Sequence, residues 1–311
     1  MTTEPTVGDR VVMRYRLPPG STHPMSDVIG ELISLEPPTV RGGHGQIVRV
    51  SAERVVALKK LAVRPIRTSE IRALEHAAAD GWQPLEQEWV DGWLLRAADS
   101  FTGRANSAVP LDESADLSSL PAIRRWYSDR GQRPLLMLPD RMSPIPDGWH
   151  TWDEVVVLAA DIDNLVLPPD GPAMVTVDDA PSDRWLSLYT YRGTRPPRWA
   201  NRMITQVRNG IVGFGHLSGP EQTIAIARGA VTTAPDDRVW VGLTAVEVAE
   251  QHRRRGLGSL ICGEMIKWGR SAGATHVYLQ VAADNEAAIA LYGSLGLIEH
   301  HRYRYATPPH E

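Results

Sequence analysis

Three arginines and two closely spaced glycines stand together in Arg253-Arg254-Arg255-Gly256-Leu257-Gly258-Ser259. An apolar run, VWVGLTAVEVA over residues 239–249, leads into them. The segment LGSLICGEMIKWGRSAG follows, with Leu257, Leu260, Ile261, Met265 and Trp268 at helical spacing. A strand that feeds through glycines into a helix presents the free amides of the first turn and the positive end of the helix dipole. Glycine lets a ligand approach that backbone closely. The junction therefore reads as a seat for phosphate, with arginine side chains adding charge. Tight strand-to-helix packing on a basic surface is the alternative. The spacing is neither GxxxxGK(S/T) nor GxGxxG, so neither of those nucleotide loops is present.

Proton-transfer candidates lie on both sides of this block. In HVYLQVAADNEAAIALYGSLGL, residues 276–282 read as a strand, and Asp284 or Asn285 caps a helix that Gly296 ends. Tyr292 lies two helical turns after Asn285, on roughly the same face. A phenol there can protonate a leaving group, or it can be amphipathic core. Glu247 interrupts an apolar strand, where a carboxylate is costly unless paired. Burial raises its pKa toward the range of a general base, so it reads either as base or water relay, or as half of a structural ion pair. Strand alternation places Thr244, Val246 and Val248 on one face and Ala245, Glu247 and Ala249 on the other. His216, in GFGHL, is the second candidate base. The single cysteine, Cys262, falls in an apolar helical pattern and reads as buried filler. His300, His301, Arg302 and Arg304 form a basic terminal strand without the carboxylate or cysteine that would complete a metal site, so no metal is expected.

The elements that position these residues fall into segments. Residues 1–60 read as short strands, 11–17, 28–35 and 46–50 among them, with EPPTVRGGHG as a loop, and that spacing predicts a small β-barrel. Residues 61–160 read as α/β: a helix over SEIRALEHAAADG capped by Thr68, a strand at 89–97, a helix over LSSLPAIRRWYSDRG, and buried strands at RPLLMLP and DEVVVLA. Residues 161–183, rich in Pro, Asp and Gly, read as a linker. Residues 184–311 hold the chemistry-bearing block, with a hairpin predicted around Asn209-Gly210.

These motifs carry a family resemblance. LTAVEVAEQHRRRGLGSLI resembles the cofactor motif of the GCN5-related N-acetyltransferases: Arg or Gln, two residues, Gly, one residue, then Gly or Ala, and a helix. Arg253, Gly256 and Gly258 match it. NEAAIALYGSLGL resembles that family's second motif, in which Asn285 matches the residue contacting the cofactor arm and Tyr292 the frequent general acid. The resemblance covers about residues 185–305. It implies a mixed sheet flanked by helices that splits between its fourth and fifth strands, with acetyl-CoA in the split. The pyrophosphate would meet the amides of residues 254–259, and the pantetheine arm the backbone near Val246 and Val248. An amide near Val248 would polarise the acetyl carbonyl, and an amine would attack directly, without an acyl-enzyme. WLLRAADSFTGRANSAVPL with AIRRWYSDRGQRPLLMLP resembles a degenerate copy of the same fold. PLDESADLSSLP stands where a glycine junction belongs, so this copy is expected to bind no cofactor. Residues 6–60 are similar to SH3-like or Tudor-like barrels, and the whole arrangement resembles actinobacterial acetyltransferases with such an addition. The fold class is accordingly α/β (α+β) in tandem.

Composition narrows the alternatives. Of the 311 residues 42% are apolar and 23% charged, with net charge −4, which excludes a disordered chain and argues against a dedicated nucleic-acid binder. No 18-residue apolar run or signal pattern occurs, so a cytoplasmic protein without a membrane partner is expected. The acceptor is expected to be an amine on a small molecule or on a peptide or protein, and a homodimer is possible. The competing function is a non-catalytic module that binds acyl-CoA, a peptide or nucleic acid; coenzyme A release with amines separates the two.

Overall fold

The computed structural model describes residues 4–21, 23–42, 46–60, 65–99, 101–169, 175–219 and 222–309. The chain divides into two compact units, 1–65 and 66–311.

In the first unit, β1 (Arg10–Arg16), β2 (Met25–Leu35), β3 (Pro38–Gly42), β4 (Ile47–Arg49) and β5 (Val55–Lys60) form one antiparallel sheet in the order β4-β3-β2-β1-β5. Alternation sends Val11 and Met13 of β1 into a core with Val28, Leu32, Val40 and Val50. The edge strands β4 and β5 do not pair with each other among the described residues, so the sheet is open and the expected SH3-like barrel is corrected. β4 has only three residues, and a single helical turn, Ala52–Arg54, follows it, leaving little edge on which to close. β3 was expected to be loop because of its prolines. Pro38 is its first residue, a position where a strand tolerates proline.

The second unit begins with α1 (Thr68–Gly81), β6 (Glu86–Val90), β7 (Trp93–Ala97), β8 (Val109–Pro110), α2 (Leu120–Ser128), β9 (Leu136–Pro139) and β10 (His150–Asp161). Arg67, not Thr68, is the cap of α1, and its amide donates to Glu70 at 2.9 Å. The single strand expected at 89–97 is a hairpin: Asp91-Gly92 takes left-handed φ values of 44° and 84° and turns β6 back into β7. β11 (Val175–Asp178), α3 (Asp183–Leu188), α4 (Ala200–Ile204), β12 (Gly210–Ser218), β13 (Thr223–Thr233), β14 (Val239–Val248), α5 (Leu257–Ser271), β15 (His276–Ala282), α6 (Glu286–Ser294) and β16 (Ile298–Thr307) complete it. No hairpin forms at Asn209-Gly210. Met203 and Ile204 are buried in α4 instead, and Asn209-Gly210 turns that helix segment into β12. Tertiary burial overrides the turn signal.

Eight strands share one sheet in the order β11-β12-β13-β14-β15-β10-β16-β9. Among the described residues of this sheet, only β14 and β15 run parallel. β10 lies antiparallel between β15 and β16, so a strand from the first α/β segment is inserted between two strands of the last. The two α/β halves are thus in tandem but joined through one sheet, while β6-β7-β8 form a separate small sheet. α5 covers one face, burying Ile261, Cys262, Met265 and Ile266 completely, each aliphatic side chain contributing roughly 1.5–3 kcal/mol. α1 covers the other face through Ile71, Leu74, Ala77 and Ala78. Thr232 Oγ1 donates to Ala77 O at 2.9 Å, and Glu75 meets His301 Nε2 at 2.8 Å.

Candidate active site

The site begins with a defect in β14. The register against β13 shifts between Ile226 and Arg228, where Ala245 takes φ 52°. This is a β-bulge, which inserts one residue and reverses the alternation beyond it. Val241 and Leu243 face α5, and after the bulge so do Val246 and Val248. Thr244, expected beside Val246 and Val248, lies on the opposite face, where Arg228 Nη1 reaches its hydroxyl at 3.5 Å. Glu247 also points away from α5, toward Thr190, which donates to Glu247 Oε1 from its amide at 3.1 Å and its hydroxyl at 2.5 Å.

The bulge coincides with a split. β14 pairs with β15 only over residues 240–243 and 276–279. Beyond Leu243, β14 runs on to Val248 without β15, and Gln280–Ala282 pairs only with β10. A strand edge is therefore left open between Val246–Val248 and Gln280–Ala282.

The arginine–glycine junction lies at the end of this edge. Arg253 Nε donates to Val248 O at 3.1 Å and ties the junction to β14. Arg254 and Gly256 have left-handed φ values of 62° and 76°, and Gly256 is the cap of α5. The exposed side chains of Arg254 and Arg255 flank the helix start. The amides of Gly256, Leu257, Gly258 and Ser259 find no acceptor among the described residues. A Cβ on Gly258 would meet Leu291 Cδ1 at 2.6 Å, so a larger residue there would displace the Leu291 side chain of α6. Orphan donors, an open strand edge and a glycine-lined approach all suit a long ligand that ends in a pyrophosphate.

Tyr292 and Leu257 pack in the same cluster as Val246 and Val248. Burial, with the neighbouring Cys262 thiol as a smaller cause, pushes the Tyr292 phenol far above its ordinary pKa. Asn285 caps α6, its Oδ1 accepting from Ala288 N at 3.1 Å. His216 lies on the Glu247 face: it pairs across the sheet with Ile226, which pairs with Glu247, a span of roughly 10 Å over two strands. Its Nδ1 is 3.4 Å from Asp178 Oδ2. Cys262 is fully buried and its thiol is pushed up to about 12 by that burial, which removes it as a nucleophile.

Thr190, Asp178, Gln280 and Arg104 escaped the sequence reading. Arg104 donates to Gln280 Oε1 at 2.7 Å on the Glu247 face, across 176 residues, and no local pattern signals such a pairing. Among the described residues no group of three or more His, Cys, Asp or Glu side chains is arranged to hold a metal ion. No helix there is long and apolar enough to cross a membrane.

Comparison with known proteins extends the geometry. The family described as probable histone acetyltransferase Rv0428c C-terminal matches residues 68–306, and the Rv0428c N-terminal Sm-like domain matches residues 5–59. The probable histone acetyltransferase Rv0428c of Mycobacterium tuberculosis is 40% identical over 307 residues, covering 98% of this chain and 96% of its own. A GCN5-related N-acetyltransferase from Kribbella flavida shares the fold with TM-score 0.56 at 17% identity, over 78% of this chain and 96% of that one. A tandem GNAT protein from the clavulanic acid biosynthesis pathway does so with TM-score 0.50 at 13% identity, over 81% and 91%.

Proposed function

The chain belongs to the family of the probable histone acetyltransferase Rv0428c, within the GCN5-related N-acetyltransferases, and from that premise we propose that it moves an acetyl group to an amine by direct attack in a ternary complex. Acetyl-CoA is the donor and supplies the activated thioester. The observation that carries the reading is the open edge of β14, with orphan amides of α5 at its end and Glu247 on its far face.

The amides of residues 256–259 hold the pyrophosphate, and Arg254 and Arg255 add charge around it. Arg253 braces the junction through Val248 O. The backbone near Val246 and Val248 pairs with the pantetheine arm and polarises the acetyl carbonyl, and Asn285 contacts the arm from α6. Glu247 takes the acceptor's proton, directly or through water, with His216 the second candidate. The amine nitrogen bonds to the acetyl carbon as the carbon–sulfur bond breaks, and Tyr292 protonates the departing thiolate. Acid and base then stand on opposite faces of β14, so neither neutralises the other. The segment 61–160 serves as scaffold and binds no second cofactor. The name of the 40%-identical relative makes a protein lysine one acceptor to be tested.

Coenzyme A release from acetyl-CoA, followed with a panel of small amines and lysine peptides, tests the reading. Amine-dependent release with matching acetylated product supports it. Tight acetyl-CoA binding without release for any amine assigns the chain to the non-catalytic alternative.

A further inference from the structure

On the face of the sheet that carries Glu247, a cavity of about 530 Å³ opens among Thr102, Gly103, Asn106, Trp152, Tyr191 and Arg192. Trp152 fixes the face. It stands directly opposite Tyr305 in the β10–β16 pair and packs on that ring at 5.2 Å between centroids, and Tyr305 belongs to the core under α1. Thr190, which holds Glu247, is the residue before Tyr191, so the wall begins one residue from the partner of the proposed base. The volume is that of a small-molecule site.

Four polar side chains of the wall are already engaged by the protein itself. Thr102 Oγ1 accepts from Trp82 Nε1 at 3.1 Å. Asn106 Nδ2 donates to Phe101 O at 2.9 Å and to Thr102 O at 2.8 Å, and its Oδ1 accepts from Ala98 N at 2.8 Å. Arg192 pairs with Asp153, and Arg133 donates to Pro308 O at 2.8 Å. Gln132 adds a neutral amide, and no aspartate or glutamate lines the cavity.

The rings are what the wall offers a ligand. Trp152 is 41% exposed, a large apolar surface left in water. Tyr191 is half-buried and is held edge-on against Phe101, with centroids 5.4 Å apart. Gly103 lies against the Tyr305 ring, where a Cβ would meet Cζ at 2.6 Å, so that part of the wall is aromatic too. A cationic group meets no carboxylate here, and an anionic group must share guanidiniums that are already engaged. A ring that packs on Trp152 gains by leaving water.

We infer that this cavity seats the body of the acceptor, and that the acceptor is a small amine carrying an aromatic ring, which packs against Trp152 and Tyr191. The inference rests on the proposed acetyl transfer and names its substrate class.

The test uses the full-length protein, acetyl-CoA and five acceptors: phenethylamine, tryptamine, ethylamine, spermidine and a lysine-rich peptide. Ethylamine is phenethylamine without its ring. At least one aromatic amine is expected to show kcat/KM about 10-fold or more above ethylamine, the worth of burying one ring. Trp152→Ala should bring that ratio close to one by raising the KM for the aromatic amine, and Trp152→Phe should retain most of it. Ethylamine, spermidine or the peptide turned over as well as the aromatic amines overturns the inference, and so does a ratio unchanged in Trp152→Ala. Either result leaves the acetyltransferase reading standing. If no amine is turned over while acetyl-CoA binds, that reading fails and the inference falls with it. The wild-type ratios decide the matter if Trp152→Ala does not fold.

Discussion

Glu247 and Thr190 are joined twice: Glu247 Oε1 accepts from the Thr190 amide at 3.1 Å and from its hydroxyl at 2.5 Å. This fixes one carboxylate oxygen and leaves the other for the acceptor or a water. Glu247→Gln keeps the shape and removes the proposed base. Turnover is expected to fall ~100-fold or more, with the KM for acetyl-CoA little changed. Thr190→Val, which keeps the amide donor, should cost less. Unchanged turnover in a folded Glu247→Gln chain would leave the carboxylate a purely structural role.

A phenol is protonated at every working pH, and burial, by raising the pKa of Tyr292, makes it a weaker acid, so its proposed part is to hydrogen-bond the departing thiolate or protonate it. Tyr292→Phe removes only the hydroxyl, so the melting temperature should move little. Turnover should drop ~100-fold where chemistry limits the rate, while acetyl-CoA affinity changes far less. Equal turnover across pH, with chemistry shown to be limiting, makes Tyr292 a core aromatic.

His300 gives the fold an acid-sensitive point. Burial, and then the neighbouring His301, lower its pKa to about 3. Its surroundings are His301 Nδ1 at 2.9 Å, the Trp240 ring, Glu70, Arg238 and Arg141, with Glu75 on the far side of His301. The folded chain keeps this imidazole neutral, whereas the unfolded chain protonates it below its ordinary value of about 6.5. Between those two values the unfolded state binds more protons. The stabilising contribution is therefore complete above about pH 6.5 and is lost as pH falls toward 3. Urea midpoints at pH 7 and pH 4.5 should differ less in His300→Gln than in wild type. An identical difference places the acid sensitivity elsewhere.

The junction at residues 253–259 was legible because strand, glycine spacing and helix periodicity are all local, and the left-handed Gly256 at the cap of α5 agrees with that pattern. The strand 276–282 was legible for the same reason, and the cap of α6 was narrowed to Asp284 or Asn285, of which Asn285 is the cap. The faces of β14 were not. Period-two alternation fails at a bulge, and only the paired strand β13 reveals the extra residue at Ala245. The first sheet was misread as closed because strand spacing gives the number of strands and says nothing of whether the edges meet. The insertion of β10 between β15 and β16, and the Arg104–Gln280 pair across 176 residues, depend on contacts that no window of sequence contains.

Calorimetric titration of acetyl-CoA into wild type and Gly256→Val tests the central claim most directly, that the split of β14 and β15 with the start of α5 forms the donor site. Gly256 holds φ 76°, a conformation that valine adopts only with strain, and a Cβ there has open space around it. Valine should therefore distort the amides of residues 256–259 without crowding the core. One acetyl-CoA per chain is predicted for wild type, with affinity lower by ~10-fold or more in the variant, which stays folded and melts a few degrees lower because of the strain at φ 76°. Unchanged affinity in a folded Gly256→Val chain, or a stoichiometry of two in wild type, would contradict the account.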